Sequence, residues 1–368
     1  MSSPYVLILH NQPILPPDHP DAASEYEILE TGDSVVATLT KAGYRVHRVG
    51  VGPDLRKFLE TVNSDPPDVI FNIFEGLATI GQTEATMAGL LEWLDIPYTG
   101  CPAETLSLAN DKYRSKLLLQ GAGLPTPAFF SVDQTPCPPC SLRWPVIVKP
   151  ASQDASVGIE QASVVTSQKR LNFRVARVQR EYGPPVLVEE FIPGREFHVN
   201  VIDDPADDTG RVTQRVLPLA EIAFLQKDNS NYWPIYSYKA KWKTRSREYR
   251  DTPLLSPVEL APDLMAQLSD MSLRAYRLFG CRDFARLDVR MDENNQFYIL
   301  EVNPNPFINS RAMTNGLEAI GRTHEDFIIG LVEAALRRKG QSAYAQLLAP
   351  AKAELKAEVS TVDNEPQD

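Results

Sequence analysis

Two oxygen-bearing side chains stand two residues apart at the end of an apolar run: Glu301 and Asn303 in FYILEVNPNPFINS, residues 297–310. Side chains at i and i+2 project from one face of a strand, so this carboxylate and this amide converge on one place. Upstream, FARLDVRM sets Arg286 and Asp288 in the same relation, and the turn DENN joins the two runs into a β-hairpin. Asp, Glu and Asn are hard oxygen ligands that suit magnesium, an ion that keeps some of its waters and is completed by substrate phosphates. No nearby histidine or thiolate in the sequence suggests zinc. A hairpin rim with solvated charged ends is the competing reading, and the hairpin alone does not separate the two.

Two lysines upstream favour the phosphate reading. Lys149 ends the apolar strand PVIVK, a costly place for a cation unless an anion meets it there. Lys112 opens a helix, where the macrodipole disfavours a cation but welcomes an anion. The loop ASQDASVG that follows Lys149 is small and hydroxylated enough to fold over phosphates.

The elements that must position these groups follow from periodicity. The chain has 368 residues, 43% of them hydrophobic, enough for two or three packed domains. Its net charge of -11 argues against a nucleic-acid backbone as the main partner and for small molecules. No apolar run reaches membrane-spanning length, and MSSPYVLILHNQP lacks a basic leader, so a cytoplasmic chain with no membrane partner is expected. Of four cysteines only Cys137 and Cys140, in CPPC, are close in sequence; with no second ligand pair they are read as part of a solvated loop.

YVLIL, YRVHRV, DVIFNIF and IPYTG read as strands, with helices over Glu25–Ala42 and EATMAGLLEWL between them. Strands alternating with helices argue an α/β unit with a parallel sheet, ending near Leu106. Beyond it PVIVKP, VLVEEF, FHVNV, VLPLAEI and the hairpin suggest mainly antiparallel pairing, an α+β second half, with helices over Pro262–Phe279 and His324–Arg338. The charged end, AKAELKAEVSTVDNEPQD, reads as a frayed tail.

Five stretches in order, GLLEWLDIPYTG, NDKYRSKLLLQGAGLPTP, PVIVKPASQDASVGI, VLVEEFIPGREFHV and GCRDFARLDVRMDENNQFYILEVNPNP, resemble the D-alanine–D-alanine ligase family of the ATP-grasp superfamily. The resemblance implies a Rossmann-like pre-ATP-grasp domain over 1–106 and a two-part ATP-grasp fold over 107–192 and 193–340, with 341–368 as a flexible tail. It implies an ADP-forming ligase that joins a small carboxylate to an amine through an acyl phosphate, with ATP and two magnesium ions, manganese being an acceptable substitute. A homodimer is compatible with it. A nucleotide binder without turnover is the reading from another class; the complete set Lys112, Lys149, Arg286, Asp288, Glu301 and Asn303 speaks against it.

By position, the resemblance sets Lys112 and Lys149 on the ATP phosphates, Glu189 at the adenine amino group, the backbone of Glu190, Phe191 and Ile192 along the base, and Glu196 on the ribose. Asp288, Glu301 and Asn303 match metal ligands, Glu301 bridging, and Arg286 matches the arginine facing the acyl phosphate. Ser156 lies in the first lid loop, and Lys241 matches a lid lysine that reaches the γ-phosphate. Glu25 is taken as the N-terminal glutamate near the first substrate's amine.

The departures fall on the substrate side. Ala155 stands for a lid serine and Trp242 for a lid tyrosine, so their hydroxyl network is missing. FNIFEG, with Glu75, replaces a histidine-glycine loop, and Phe307 replaces a glycine of the oxyanion cradle. Arg311 and Ala312 stand where the family carries smaller polar contacts to the second substrate's carboxylate, and Ser310 beside them, with Phe307, Arg311 and Trp242, is taken as lining the substrate site. A benzyl group in place of a hydrogen requires a reshaped pocket. The expected substrates are therefore an amino acid or similar small acid and an amine other than the D-alanine pair, with D-alanine–D-alanine synthesis itself as the alternative.

Overall fold

The computed structural model describes residues 3–16, 22–77, 82–153, 156–205, 207, 209–226 and 232–339, without the side chains of 22–25. Ala155 and the tail, 341–368, therefore lie outside the described residues. The chain begins with β1 (Tyr5–Asn11), α1 (Ala22–Lys41), β2 (Arg45–Val51), α2 (Arg56–Ser64), β3 (Val69–Ile73), α3 (Gln82–Trp93) and α4 (Ala103–Ala109). The three strands form a parallel sheet in the order β2-β1-β3. Every residue of β1 is buried, which explains its unbroken apolar run: helices cover both faces of a parallel sheet. The expected strand at IPYTG is only a bridge from Tyr98 to Ile70. The chain leaves the sheet there because Gly100, at φ +93°, turns its N–H onto the Asp283 carboxylate at 2.7 Å, and Cys101 N–H follows onto Asn305 Oδ1 at 2.7 Å.

The middle of the chain contributes α5 (Lys112–Gly121), β4 (Phe129–Val132), β5 (Val146–Pro150), β6 (Val164–Val165), α6 (Gln168–Tyr182) and β7 (Val186–Glu190). Its four strands are antiparallel, in the order β4-β7-β5-β6. Leu171, Val175 and Val178 of α6 are spaced to lie on one face and are buried in the same core as Val146, Val148, Val186 and Val188. Cys137 is buried in that core, and the amide of Cys140 donates to Gln168 Oε1 at 2.8 Å. CPPC is a loop, as expected, with both prolines exposed, but Cys137 departs from a solvated reading by packing into the core as a small apolar group.

The last part contains β8 (Arg195–Asp203), β9 (Gln214–Val216), β10 (Leu219–Ile222), α7 (Tyr238–Trp242), α8 (Arg247–Asp251), β11 (Leu254–Val258), α9 (Pro262–Leu278), β12 (Phe284–Met291), β13 (Phe297–Pro304), α10 (Arg311–Ala319) and α11 (His324–Arg337). An antiparallel sheet runs β11-β10-β8-β12-β13, with β9 also on β8. Leu268, Met271, Ala275 and Tyr276 of α9 cover one face of it. The opposite face carries the polar groups described below. Helix α11 leaves this sheet and buries Phe327, Ile328, Leu331 and Val332 against Val6, Ile8, Ile28 and Val35 of the first unit. Arg338, just beyond it, donates to Asp283 at 2.7 and 2.9 Å and to the Tyr98 carbonyl at 2.9 Å, so first and last parts of the chain are locked together.

Candidate active site

The hairpin register aligns the candidate ligands in two rows. Arg286 of β12 is opposite Asn303 of β13, and Asp288 is opposite Glu301; a bulge follows Asp288. Residues directly opposite in an antiparallel ladder share a face. Strand β8, on the other side of β12, extends the rows with Asn200 beside Arg286 and His198 beside Asp288. Each anion has a cation at hand. Arg286 clasps Asp288 with both ends of its guanidinium, Nε to Oδ1 at 2.7 Å and Nη2 to Oδ2 at 3.1 Å, and Lys112 pairs with Glu301. Burial would raise the Asp288 carboxyl, yet Arg286 holds it down at about 2. His198 stands 3.7 Å from Asp288, contrary to the expectation of no histidine near the ligands. Burial pushes its ring down to about 3, so it is neutral, with the Tyr236 ring edge-on at 5.9 Å.

Beside these rows a narrow pocket of about 110 Å³ opens between the second and third sheets. Lys112, Lys149, Ser156, Glu189 to Ile192 and Glu196 all line it, so the structure gathers the expected nucleotide residues from five elements and loops. Glu189, 1% exposed, sits between Lys149 at 3.0 Å and Lys116 at 3.3 Å. Burial would push its carboxyl up, but the two ammoniums hold it below the usual range. Lys116, fully buried and pushed down to about 8, was not anticipated; only its spacing one turn after Lys112 placed it nearby. Its Nζ also donates to Thr126 Oγ1 at 2.8 Å.

Glu196 forms a buried pair with Arg290, Nε to Oε2 at 2.8 Å, and Arg290 also donates to the carbonyls of Ile192 and Pro234. The amides of Glu190 and Phe191 already donate to Ala128 and Pro145. Ser156 is held at φ +63° in the loop after β5.

Glu301 lines this pocket and also a larger cleft of about 800 Å³ bounded by the first sheet, α7 and the start of α10. Arg286, Lys241, Trp242, Phe307, Ser310 and Arg311 all face the cleft. Ser310 also caps α10, its hydroxyl accepting from Met313 N–H at 3.3 Å. Across from the cationic groups stand Glu27 and Glu75. Glu75, at the mouth of β3 and exposed to the cleft, has its amide held by Asn11 Oδ1 at 3.3 Å. Desolvation inside the cleft pushes its carboxyl up to about 7, against the pull of Lys241. Burial and Arg286 push Lys241 down, whereas Asp288, Glu75 and Glu27 draw it up. The side chain of Glu25 is outside the described residues; the glutamate seen at the cleft is Glu27, two positions on along α1. Nothing in periodicity distinguishes these two, since the choice depends on how α1 is rotated against β1.

A family profile described as the D-ala D-ala ligase C-terminus matches residues 118–333. D-alanine–D-alanine ligase B of Chromobacterium violaceum is 32% identical over 317 residues, 85% of this chain and 94% of that one. The D-alanine–D-alanine ligase of Carboxydothermus hydrogenoformans is 32% identical over 318 residues, covering 83% and 93%. Among solved structures, a D-alanine–D-alanine ligase from Bacillus anthracis complexed with ATP superposes with a TM-score of 0.70 at 20% identity, over 92% of this chain and 99% of that one.

Proposed function

The chain belongs to the D-alanine–D-alanine ligase family of ADP-forming ATP-grasp ligases, and on that premise we propose that it joins an amino acid or similar small acid to an amine other than D-alanine. One observation carries the reading: Glu301, paired with Lys112 and opposite Asp288, borders both the narrow pocket and the wide cleft. A group there meets the nucleotide phosphates from one side and the acid from the other.

The donor set fits magnesium. Asp288, Glu301 and Asn303 offer hard oxygens on adjoining rows, and the buried Asn303 Nδ2, without a hydrogen-bond partner, is a donor that a phosphate oxygen beside the metal would satisfy. Among the described residues no three Asp, Glu, His or Cys side chains form a closed cage, so phosphate and water would complete the shell, as magnesium prefers. When bound, magnesium held by Asp288, Glu301 and Asn303 would neutralise phosphate oxygens and the developing charge of phosphoryl transfer.

The remaining work belongs to the chain's own residues. Lys112 and Lys149 would face the phosphates, Glu189 keeping Lys149 aligned. A substrate carboxylate would attack the γ-phosphorus to give an acyl phosphate and ADP, with Lys241 and Arg286 offsetting the meeting of anions. The amine would then attack the acyl carbon, and phosphate would leave with one oxygen of the original carboxylate. Glu27 and Glu75 suit an ammonium, whereas Arg311 suits a carboxylate on the acceptor. The Phe307 ring, on the cleft wall, supports an acceptor other than D-alanine. The names of the relatives favour a second reading, D-alanine–D-alanine synthesis itself.

Pooled amino acids and amines, offered with ATP and magnesium, separate the readings when phosphate release and product masses are followed. The expected result is ADP with an amide mass from a pair other than D-alanine with D-alanine. Dominant D-alanyl-D-alanine promotes the second reading, and ATP cleavage without any new amide overturns both.

A further inference from the structure

Asp288 is committed twice. Its two carboxylate oxygens are occupied by Arg286, at 2.7 and 3.1 Å, yet the proposed chemistry, on which this inference rests, needs the same oxygens for a cation. Arg286 must release at least one of them, and a half-buried guanidinium that loses an anion needs another acceptor. Asn303 lies opposite it on β13 but would be taken as a ligand through its own oxygen. His198 faces Asp288 rather than Arg286. That leaves Asn200.

Asn200 is 1% exposed, stands directly across the ladder from Arg286 on the same face, and has neither Oδ1 nor Nδ2 in a hydrogen bond. Cβ atoms of such cross-strand pairs are about 4.5–5.5 Å apart, within reach of a guanidinium that swings off its neighbour. A buried amide with both ends unsatisfied costs about 1–3 kcal/mol per group, and an apolar residue of similar size would remove that cost. Such a group in a folded protein calls for an explanation by function. We propose that Asn200 is a positioning residue for the loaded site: its Oδ1 accepts from Arg286 when the guanidinium yields Asp288 to a cation, and so turns Arg286 toward the reacting carboxyl group.

The test compares the full chain with Asn200→Leu and Asn200→Asp. Manganese is titrated in the presence of a non-hydrolysable ATP analogue by electron paramagnetic resonance, beside melting curves and steady-state kinetics on the substrate pair that the pooled assay identifies. Asn200→Leu is expected to weaken manganese at least fivefold and to lower kcat at least tenfold with KM for ATP within threefold, while the melting temperature stays level or rises. Asn200→Asp, which keeps an acceptor, is expected to retain manganese within threefold of wild type. Unchanged manganese affinity in Asn200→Leu, or a melting temperature that falls with it, overturns the proposal, the latter pointing to a purely structural amide. A wild type that binds no manganese refutes the metal site itself and this inference together, whereas wild-type binding with an indifferent Asn200→Leu refutes the inference alone.

Discussion

Glu301 is half-buried at the junction of pocket and cleft and is paired with Lys112, which itself opens α5. Replacing it with Gln removes the charge but keeps the shape and an amide oxygen that still accepts from Lys112, so the lysine is not left without an acceptor and the fold is largely preserved. Glu301→Gln should therefore reduce turnover at least a hundredfold while the melting temperature moves by no more than a few degrees. Kinetics and a thermal melt on one preparation check both halves, and unchanged turnover would remove Glu301 from the mechanism. Glu301 and Asn303 were legible in the sequence because the i, i+2 relation on a strand is local, and so were Arg286 and Asp288. Glu27, Lys116, His198 and Arg290 were not: each has its meaning from a partner far along the chain, Lys116 from Glu189 and Arg290 from Glu196. The sequence also offered Glu196 for the ribose, with no sign that a buried arginine already holds it.

The turn between β7 and β8 connects the strand bearing Glu189 to the strand bearing Glu196 and His198. Gly194 makes it possible at φ +132°, where a Cβ would meet the Met291 carbonyl oxygen at 2.1 Å. That neighbour is backbone of the hairpin and cannot step aside. Gly194→Ala should cost about 1–3 kcal/mol of stability or more and weaken ATP at the same time, because the strain is shared by both strands that flank the nucleotide pocket. Denaturant melts with nucleotide titration read this directly, and a variant as stable as wild type would show the turn to be tolerant. Regular elements such as β1, α9 and the hairpin were legible through their periodicity. The departure at IPYTG and the burial of Cys137 within the CPPC loop were not, since Gly100 answers to Asp283 and Cys137 to a core completed by distant strands and α6.

At the scale of the molecule, the cleft exists only because the first unit is held against the third. Buried Asp283 receives Gly100 N–H and Arg338, and α11 packs on the first sheet. Arg338→Ala leaves that carboxylate without its cation, a loss on the order of 3 kcal/mol. A melting temperature lower by several degrees, with KM for the acid raised more than KM for ATP, is the expected pattern; equal effects on the two would detach the cleft from this contact. The most direct test of the whole account follows an oxygen atom. With an amino-acid substrate labelled with ¹⁸O in its carboxylate, ligation through an acyl phosphate must deliver one labelled oxygen to inorganic phosphate, and Glu301→Gln must slow that transfer at least a hundredfold. Label in the released phosphate together with the amide product is the predicted result; phosphate released without label would mean that water, not the carboxylate, attacks ATP, and would contradict the account.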